Sequence, residues 1–328
     1  MKYMTVMEAA QKWGISDRRV RFLCSQGRIR GIIQQGRRYL IPDTTEKPRD
    51  ERVRKAKGAD TRKYNDFTRL DFLKNMMADL PEDSNMVGWN PMFLHQFTWS
   101  STTVAGATFV PEEINEILAG KVIVDHSLHE HMMVMGCHDA ICYAHACAFR
   151  RKPLSQNIIR NIHSLVLMDD PLHKGRYRKA KVRLQEEQLE PIALDLIEPR
   201  VNDLLNINTQ RKKTMHPIER ITRLYLDFQG IHPFYEGNGR TAQVLLNLEL
   251  MENGYPPIVL QDGVDSQTHF QALMAFLETN DASLMIRFIS QKVELAMERY
   301  LSGFRKRKTV KKPLVPTLKL ESGYTASA

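Results

Sequence analysis

Between Phe67 and Phe304 apolar residues recur at the spacing of one helix face, as with Ile221, Leu224, Tyr225 and Phe228 at i, i+3, i+4 and i+7. A stripe of that period is buried only by packing helix on helix, so most of the chain is expected to be mainly α. A length of 328 residues leaves room for about two domains. With 42% hydrophobic and 26% charged residues, the composition excludes disordered and collagen-like classes. No run approaches the ~18 apolar residues that a membrane helix needs, so no membrane partner is expected. The N-terminus lacks the apolar run of a signal peptide. Four cysteines without a CxxC pair are too sparse for a disulfide framework, and a reducing cytoplasm is the expected location.

Charge divides the chain. Lys and Arg number 47 against 38 Asp and Glu, a formal +9, and most of that excess lies before Pro42. The expected organisation is a basic unit over 1–45, a polar linker over 46–66, the helical domain over 67–304 and a basic, mostly unstructured tail over 305–328. That tail opens on Arg305-Lys306-Arg307-Lys308. An excess of this sign favours nucleic acid or another anionic partner.

The N-terminal unit begins with an amphipathic stretch, Thr5 to Trp13, ended by Gly14. Ser16 then stands where an N-cap belongs, opening a second helix through about Gln26. Two helices so closely joined form a helix-turn-helix. Arg18, Arg19 and Arg21 lie on the second, and the segments 30–34 and 37–41 flank Gln35-Gly36 as a hairpin wing carrying Arg37 and Arg38. The unit resembles the small winged helix-turn-helix of the MerR and excisionase type, down to Gly27-Arg28-Ile29 and Gly36-Arg37-Arg38-Tyr39-Leu40-Ile41-Pro42. That resemblance implies DNA binding through those five arginines, with a symmetric homodimer as the expected assembly. A protein-docking module is the alternative.

The most informative residues are Ile231 to Arg240. Helical patterns precede them, with Pro217 near the start, and follow them from Thr241 to Glu252, ending at Asn253-Gly254. Two glycines ahead of a helix let backbone N–H groups converge on an anion such as phosphate. Arg240 adds a permanent cation, Glu236 a hard oxygen ligand suited to Mg²⁺, and His232 a base that titrates near neutrality. Together these are parts for transferring a phosphorus-centred group to a hydroxyl; a capped helix start with a buried histidine is the plainer alternative. Although Gly237 to Ala242 also fits GxGxxA, a dinucleotide site needs a preceding strand, and here a helix precedes.

His232 to Arg240 matches HPFx[DE]GNGRxxR, and on this the chain resembles the Fic family. Gly175-Arg176-Tyr177-Arg178 and Gly254-Tyr255-Pro256-Pro257-Ile258 extend the likeness over roughly residues 67 to 300. The resemblance implies an all-α Fic domain with a β-hairpin flap and a protein adenylyltransferase that moves AMP from ATP to a Ser, Thr or Tyr hydroxyl of a target protein. It assigns His232 as base, Glu236 as Mg²⁺ ligand, Arg240 as charge neutraliser and Phe234 as loop anchor. Gly237, Asn238, Gly239 and Arg240 would hold the nucleotide, and the hairpin from Lys174 to Leu184, with Gly175, Arg176, Tyr177 and Arg178, would pin the target by strand addition.

Two positions depart from the family pattern. Its last arginine, which meets the distal phosphates, is Gln243 here, and glutamine can donate a hydrogen bond but cannot cancel charge. The inhibitory helix, [ST]xxxE[GN], is best matched by Ser101 to Gly106, with Ala105 in place of the glutamate. Both ends of the inhibitory ion pair are absent together, so the resemblance implies an enzyme not self-inhibited by a glutamate, or one using a different donor nucleotide. The alternative is a transcriptional regulator whose degenerate Fic domain senses a nucleotide or docks a partner. His131, His138, Cys142 and His145 share a helical stripe and read as core or boundary residues rather than metal ligands, and His163 and His216 read as structural.

Overall fold

The computed structural model describes residues 3–13, 20, 21, 24, 29, 32–35, 38–45, 66–78, 80, 89–182, 192–260 and 265–310. They fall into two compact units, Met1–Lys63 and Tyr64–Ala328.

In the first unit, β1 (Tyr3–Thr5) leads directly into α1 (Val6–Trp13), followed by β2 (Ile33–Gln35) and β3 (Arg38–Pro42). The strands form an antiparallel sheet in the order β1-β3-β2, with Met4 opposite Ile41 and Gln34 opposite Tyr39. Thr5 belongs to β1 rather than to the helix, and it caps α1 reciprocally. Its N–H donates to the Glu8 carboxylate at 2.6 Å while its Oγ1 accepts from the Glu8 N–H. Gln35 pairs with Arg38, so the connection falls at 36–37, one residue later than the sequence suggested. Met4, Ala9, Trp13, Val20 and Ile41 are buried together. Residues 20, 21 and 24 are helical, with Val20 and Cys24 inward and Arg21 exposed. Gly14, Ser16, Arg18, Arg19, Gln26 and Arg37 lie outside the described residues, and of Arg38 only the backbone, in β3, is described.

The second unit contains α2 (Thr68–Ala78), α3 (Pro91–Val104), α4 (Pro111–Leu118), α5 (Leu128–Phe149), α6 (Gln156–Val166), α7 (Ile197–Arg211), α8 (Pro217–Ile231), α9 (Asn238–Glu252), α10 (Asp265–Thr279) and α11 (Ser283–Val310). Its core runs through α5, α8 and α9, where Ile141, Ala144, Leu226, Phe228, Leu245 and Leu248 are buried. Helix α9 packs on α5, α6 and α8. Gly136 explains how closely α5 meets α6: a Cβ there would stand 2.3 Å from the Leu165 carbonyl oxygen. Helix α11 continues to Val310, which corrects the expected unstructured start of the tail at Arg305. Lys and Arg are good helix formers and lie favourably at the negative end of the helix dipole.

At one end of the α8–α9 pair, Arg220 and Glu249 are 1% and 0% exposed and meet at 2.6 Å. Arg220 also donates to Asn208 Oδ1 at 2.8 Å, and Asn208 donates to the other Glu249 oxygen at 3.3 Å. Such a network stands in the interior only because its charges are paired and hydrogen-bonded. Among the described residues no helix is long and apolar enough to cross a membrane.

Candidate active site

The other end of the α8–α9 pair carries the loop 232–237. Pro217 sits in the first turn of α8, and the His216 side chain accepts from the Ile218 N–H, while its ring stacks on Phe67 at 3.9 Å. Helix α8 ends when His232 turns left-handed at φ 49°, an unusual conformation for a residue with a Cβ. Helix α9 begins at Asn238 behind Gly237, whose φ of 71° suits glycine. The helix therefore starts three positions before Thr241, and Asn238, Gly239 and Arg240 form its first turn instead of a loop. Their N–H groups have no acceptor one turn earlier.

Two side chains hold the loop. Phe234 is fully buried, stacked face to face on His163 at 3.6 Å and tilted against Tyr177 and Phe228. The Asn238 side chain closes the turn, accepting from the Phe234 N–H and donating to the Phe234 carbonyl, both at 2.9 Å. The buried Asn238 side chain is thus a clasp, which leaves its backbone N–H for the phosphate cradle that the resemblance implies. Glu236 and Gly239 are exposed, and Arg240 is half-buried with Nη1 donating to the Val166 carbonyl at 3.2 Å.

The segment 174–178 lies against this loop. Arg178 is 4% exposed: its backbone N–H donates to the Pro233 carbonyl, its Nε to the His232 carbonyl, each at 2.9 Å, and its Nη2 to the Ile192 carbonyl. Tyr177 points inward too, with its hydroxyl donating to Gln156. Gly175 donates to His163 Nδ1, and its carbonyl accepts from Arg160. Lys174 Nζ donates to the Met168 carbonyl, and Arg176 is exposed. The expected hairpin is not formed as paired strands within residues 174–182: the Gly175 backbone is committed to α6, the Arg178 N–H to the loop, and the Lys174 and Arg176 N–H groups to turns on Asp170 and His173; residues 183–184 lie outside the described residues. A polar cleft of about 360 Å³ opens beside the segment, lined by Arg160, Asn161 and Ser164 of α6 and by Lys174 and Arg176.

Burial pushes the His232 imidazole down to about 4, with the nearby Arg178 cation acting in the same direction. The ring is therefore neutral at pH 7 and able to accept a proton. Burial likewise takes His163 down to about 4, against the opposing effect of its bond to the Glu236 carbonyl.

The two departures from the family pattern meet. Ser101, buried near the C-terminal end of α3, donates from Oγ to Gln243 Oε1 of α9 at 3.4 Å, and Gln243 is itself 4% exposed. Ala105 caps α3 and is exposed, and Gly106 follows at φ 101°. No group of three or more potential metal-ligating side chains occurs among the described residues. His145 stacks on Trp89, and the paired ring nitrogens of His131 bond to the backbone of Ile123 and Ser127.

Residues 153–250, which include the loop, the 174–178 segment and α9 as far as Leu250, match the sequence model of the Fic/DOC family. The chain is 27% identical over 214 residues to protein adenylyltransferase fic-1 of Caenorhabditis elegans, covering 64% of this chain and 41% of that protein. It is 27% identical over 209 residues to protein adenylyltransferase Fic of Drosophila melanogaster, covering 63% and 42%. It thus spans about two fifths of the length of these curated relatives. Among solved structures, a Fic-1 fragment from C. elegans superposes with a TM-score of 0.66 at 24% identity, covering 78% of this chain and 76% of that one. A Fic domain containing signaling protein from Bacteroides thetaiotaomicron gives 0.66 at 20% identity, covering 73% and 97%. The fold of the helical unit is that of these Fic structures.

Proposed function

We propose that the helical unit transfers AMP from ATP to a Ser, Thr or Tyr hydroxyl of a target protein. The observation that carries this is the gathering of a neutral, half-buried histidine, an exposed carboxylate and the uncapped start of α9 within residues 232–240. His232 takes the hydroxyl proton as the oxygen bonds to the α-phosphorus and the bond to pyrophosphate breaks. The first-turn amides of α9 and Arg240 offset charge on the phosphates. Glu236 is an exposed hard donor, which suits the habit of Mg²⁺ of binding through one or two carboxylates plus substrate phosphates; the ion would supply further charge neutralisation there. The base contributes about 10²–10⁴ and the remainder comes from alignment and electrostatics. Residues beyond Arg178 would receive the target as an added strand, and the cations of the adjoining cleft favour target segments with carboxylates near the hydroxyl.

Without a glutamate at 105, and with Gln243 held by Ser101 rather than an arginine held by a carboxylate, the enzyme is constitutively open or accepts a nucleotide whose distal group is not a γ-phosphate. Incubation with labelled ATP, and separately with UTP and CTP, tests both points. Label on the protein or on lysate proteins, lost in His232→Ala, supports transfer, and label that survives the substitution removes the mechanism. Tight ATP binding that Ala105→Glu weakens would refute the altered-donor reading. No label from any nucleotide would favour a nucleotide-sensing regulator.

The first unit is proposed to bind DNA as a winged helix-turn-helix, on the strength of its charge and its β2–β3 hairpin. A gel shift at several salt concentrations tests this: a steep loss of affinity with salt is expected, and retention at high salt or no shift at all refutes it.

A further inference from the structure

His163 lies on α6, outside the motif that marks the loop, yet it touches both halves of the site. Its Nδ1 is 2.9 Å from the Gly175 nitrogen and its Nε2 is 2.9 Å from the Glu236 carbonyl oxygen. Because an amide N–H can only donate, Nδ1 accepts, and the ring proton therefore sits on Nε2 and is donated to Glu236. The ring is fully buried and stacks on Phe234, 3.6 Å away with 3° between the ring planes. One neutral imidazole thus uses both nitrogens and one face to join the 174–178 segment, the carbonyl of Glu236 and the loop anchor. A doubly protonated ring could not hold this arrangement, since Nδ1–H would face Gly175 N–H, and burial opposes that form. A further link, Arg178 N–H to the Pro233 carbonyl, runs parallel to it.

We propose that His163 is a positioning residue that transmits the placement of the 174–178 segment to the carboxylate-bearing loop, so that target docking and nucleotide transfer share one rigid frame. This rests on the proposed transfer activity and deepens it by naming the residue that couples its two subsites.

Two amide side chains separate the two bonds. In His163→Asn, Oδ1 falls near the position of Nδ1 and can still accept from Gly175, but nothing reaches Glu236. In His163→Gln, Nε2 falls near its imidazole counterpart and can still donate to Glu236, but the Gly175 acceptor is lost. Both variants lose the stacked ring, so a difference between them reports the hydrogen bonds. Amide exchange at Gly175 and the maximal rate of self-labelling with labelled ATP are measured on the full chain, with thermal melts to correct for the folded fraction. In His163→Gln, exchange at Gly175 is expected to quicken at least tenfold. In His163→Asn, Gly175 protection is expected to stay within about threefold of the parent, while the maximal labelling rate falls at least tenfold and further than in the glutamine variant. If both variants change both readouts by equal factors, or if Gly175 exchanges at the same rate in all three proteins, the relay is overturned and His163 is only packing. A parent protein that labels with no nucleotide overturns the proposed function instead, and Gly175 exchange still decides whether the imidazole makes the bond.

Discussion

Removing one member of the Asn208–Arg220–Glu249 network should damage the helical unit far more than replacing all three. Glu249→Leu leaves the Arg220 guanidinium, 1% exposed, without its 2.6 Å partner and takes one partner from Asn208. Breaking a buried pair in this way costs about 3–5 kcal/mol, a fall in melting temperature on the order of 10 °C for a unit of this size. Exchanging Asn208→Leu, Arg220→Met and Glu249→Leu together removes all three members of the network at once and exchanges desolvated charge for packing. That triple variant is expected within about 1 kcal/mol of the parent, or above it. Urea denaturation and calorimetry of the parent, single and triple variants provide the assay. A single variant costing less than about 1 kcal/mol, or a triple variant as unstable as the single one, would refute the reasoning.

Stability is also expected to fall between pH 6.5 and 4. His163 and His269 are 0% and 3% exposed, each held near pKa 4 chiefly by burial, so the unfolded chain takes up protons in this window that the folded one refuses. Each contributes about 3 kcal/mol that is fully present above pH 6.5 and gone below 4, and His269→Phe should flatten the urea midpoint against pH. The acid limb of nucleotide transfer should lie well below pH 6.5, because His232 is held near 4; a rate that halves near 6.5 contradicts this. Gly136→Ala should cost about 1–3 kcal/mol by forcing α5 from the Leu165 carbonyl, and a melt unchanged within error would show that the helices separate freely. Asn238→Ala leaves the Phe234 N–H and carbonyl without partners at a cost of about 1–3 kcal/mol, readable by denaturation.

Much of this was legible in the sequence. Helical periodicity announced the mainly α unit, and the patterns either side of residues 232–240 announced a turn joining two helices. The roles of its members were less legible. Asn238 looks like a ligand residue in a string, but its i−4 partner is the backbone of Phe234, and only a fold shows that a side chain has been spent on closing a turn. Arg178 belonged to a segment expected to face a target, yet its guanidinium turns inward to the carbonyls of His232 and Ile192. His163 read as structural, and no local pattern could show that its nitrogens meet residues 12 and 73 positions away. Strand β1 escaped because three residues are too few to display alternation, and α9 was expected to begin late because the glycine and asparagine that open it are poor helix formers. Of the stripe His131–His145, His131 is buried and His138, Cys142 and His145 are half-buried.

The helical hairpin of α8 and α9 is bolted at its base by Arg220 and Glu249, so its two tips form posts at a fixed separation, bridged by six residues. An inserted residue between 232 and 237 would have no slack to absorb it and would unseat Phe234 from its slot. Exchange of Tyr235, the exposed outer rung of the bridge, would leave the span intact and alter its outer surface and its ring contact with His173. Under the proposed function, variation in what this site accepts is open by substitution at that rung, and closed by any change in the length of the crossing.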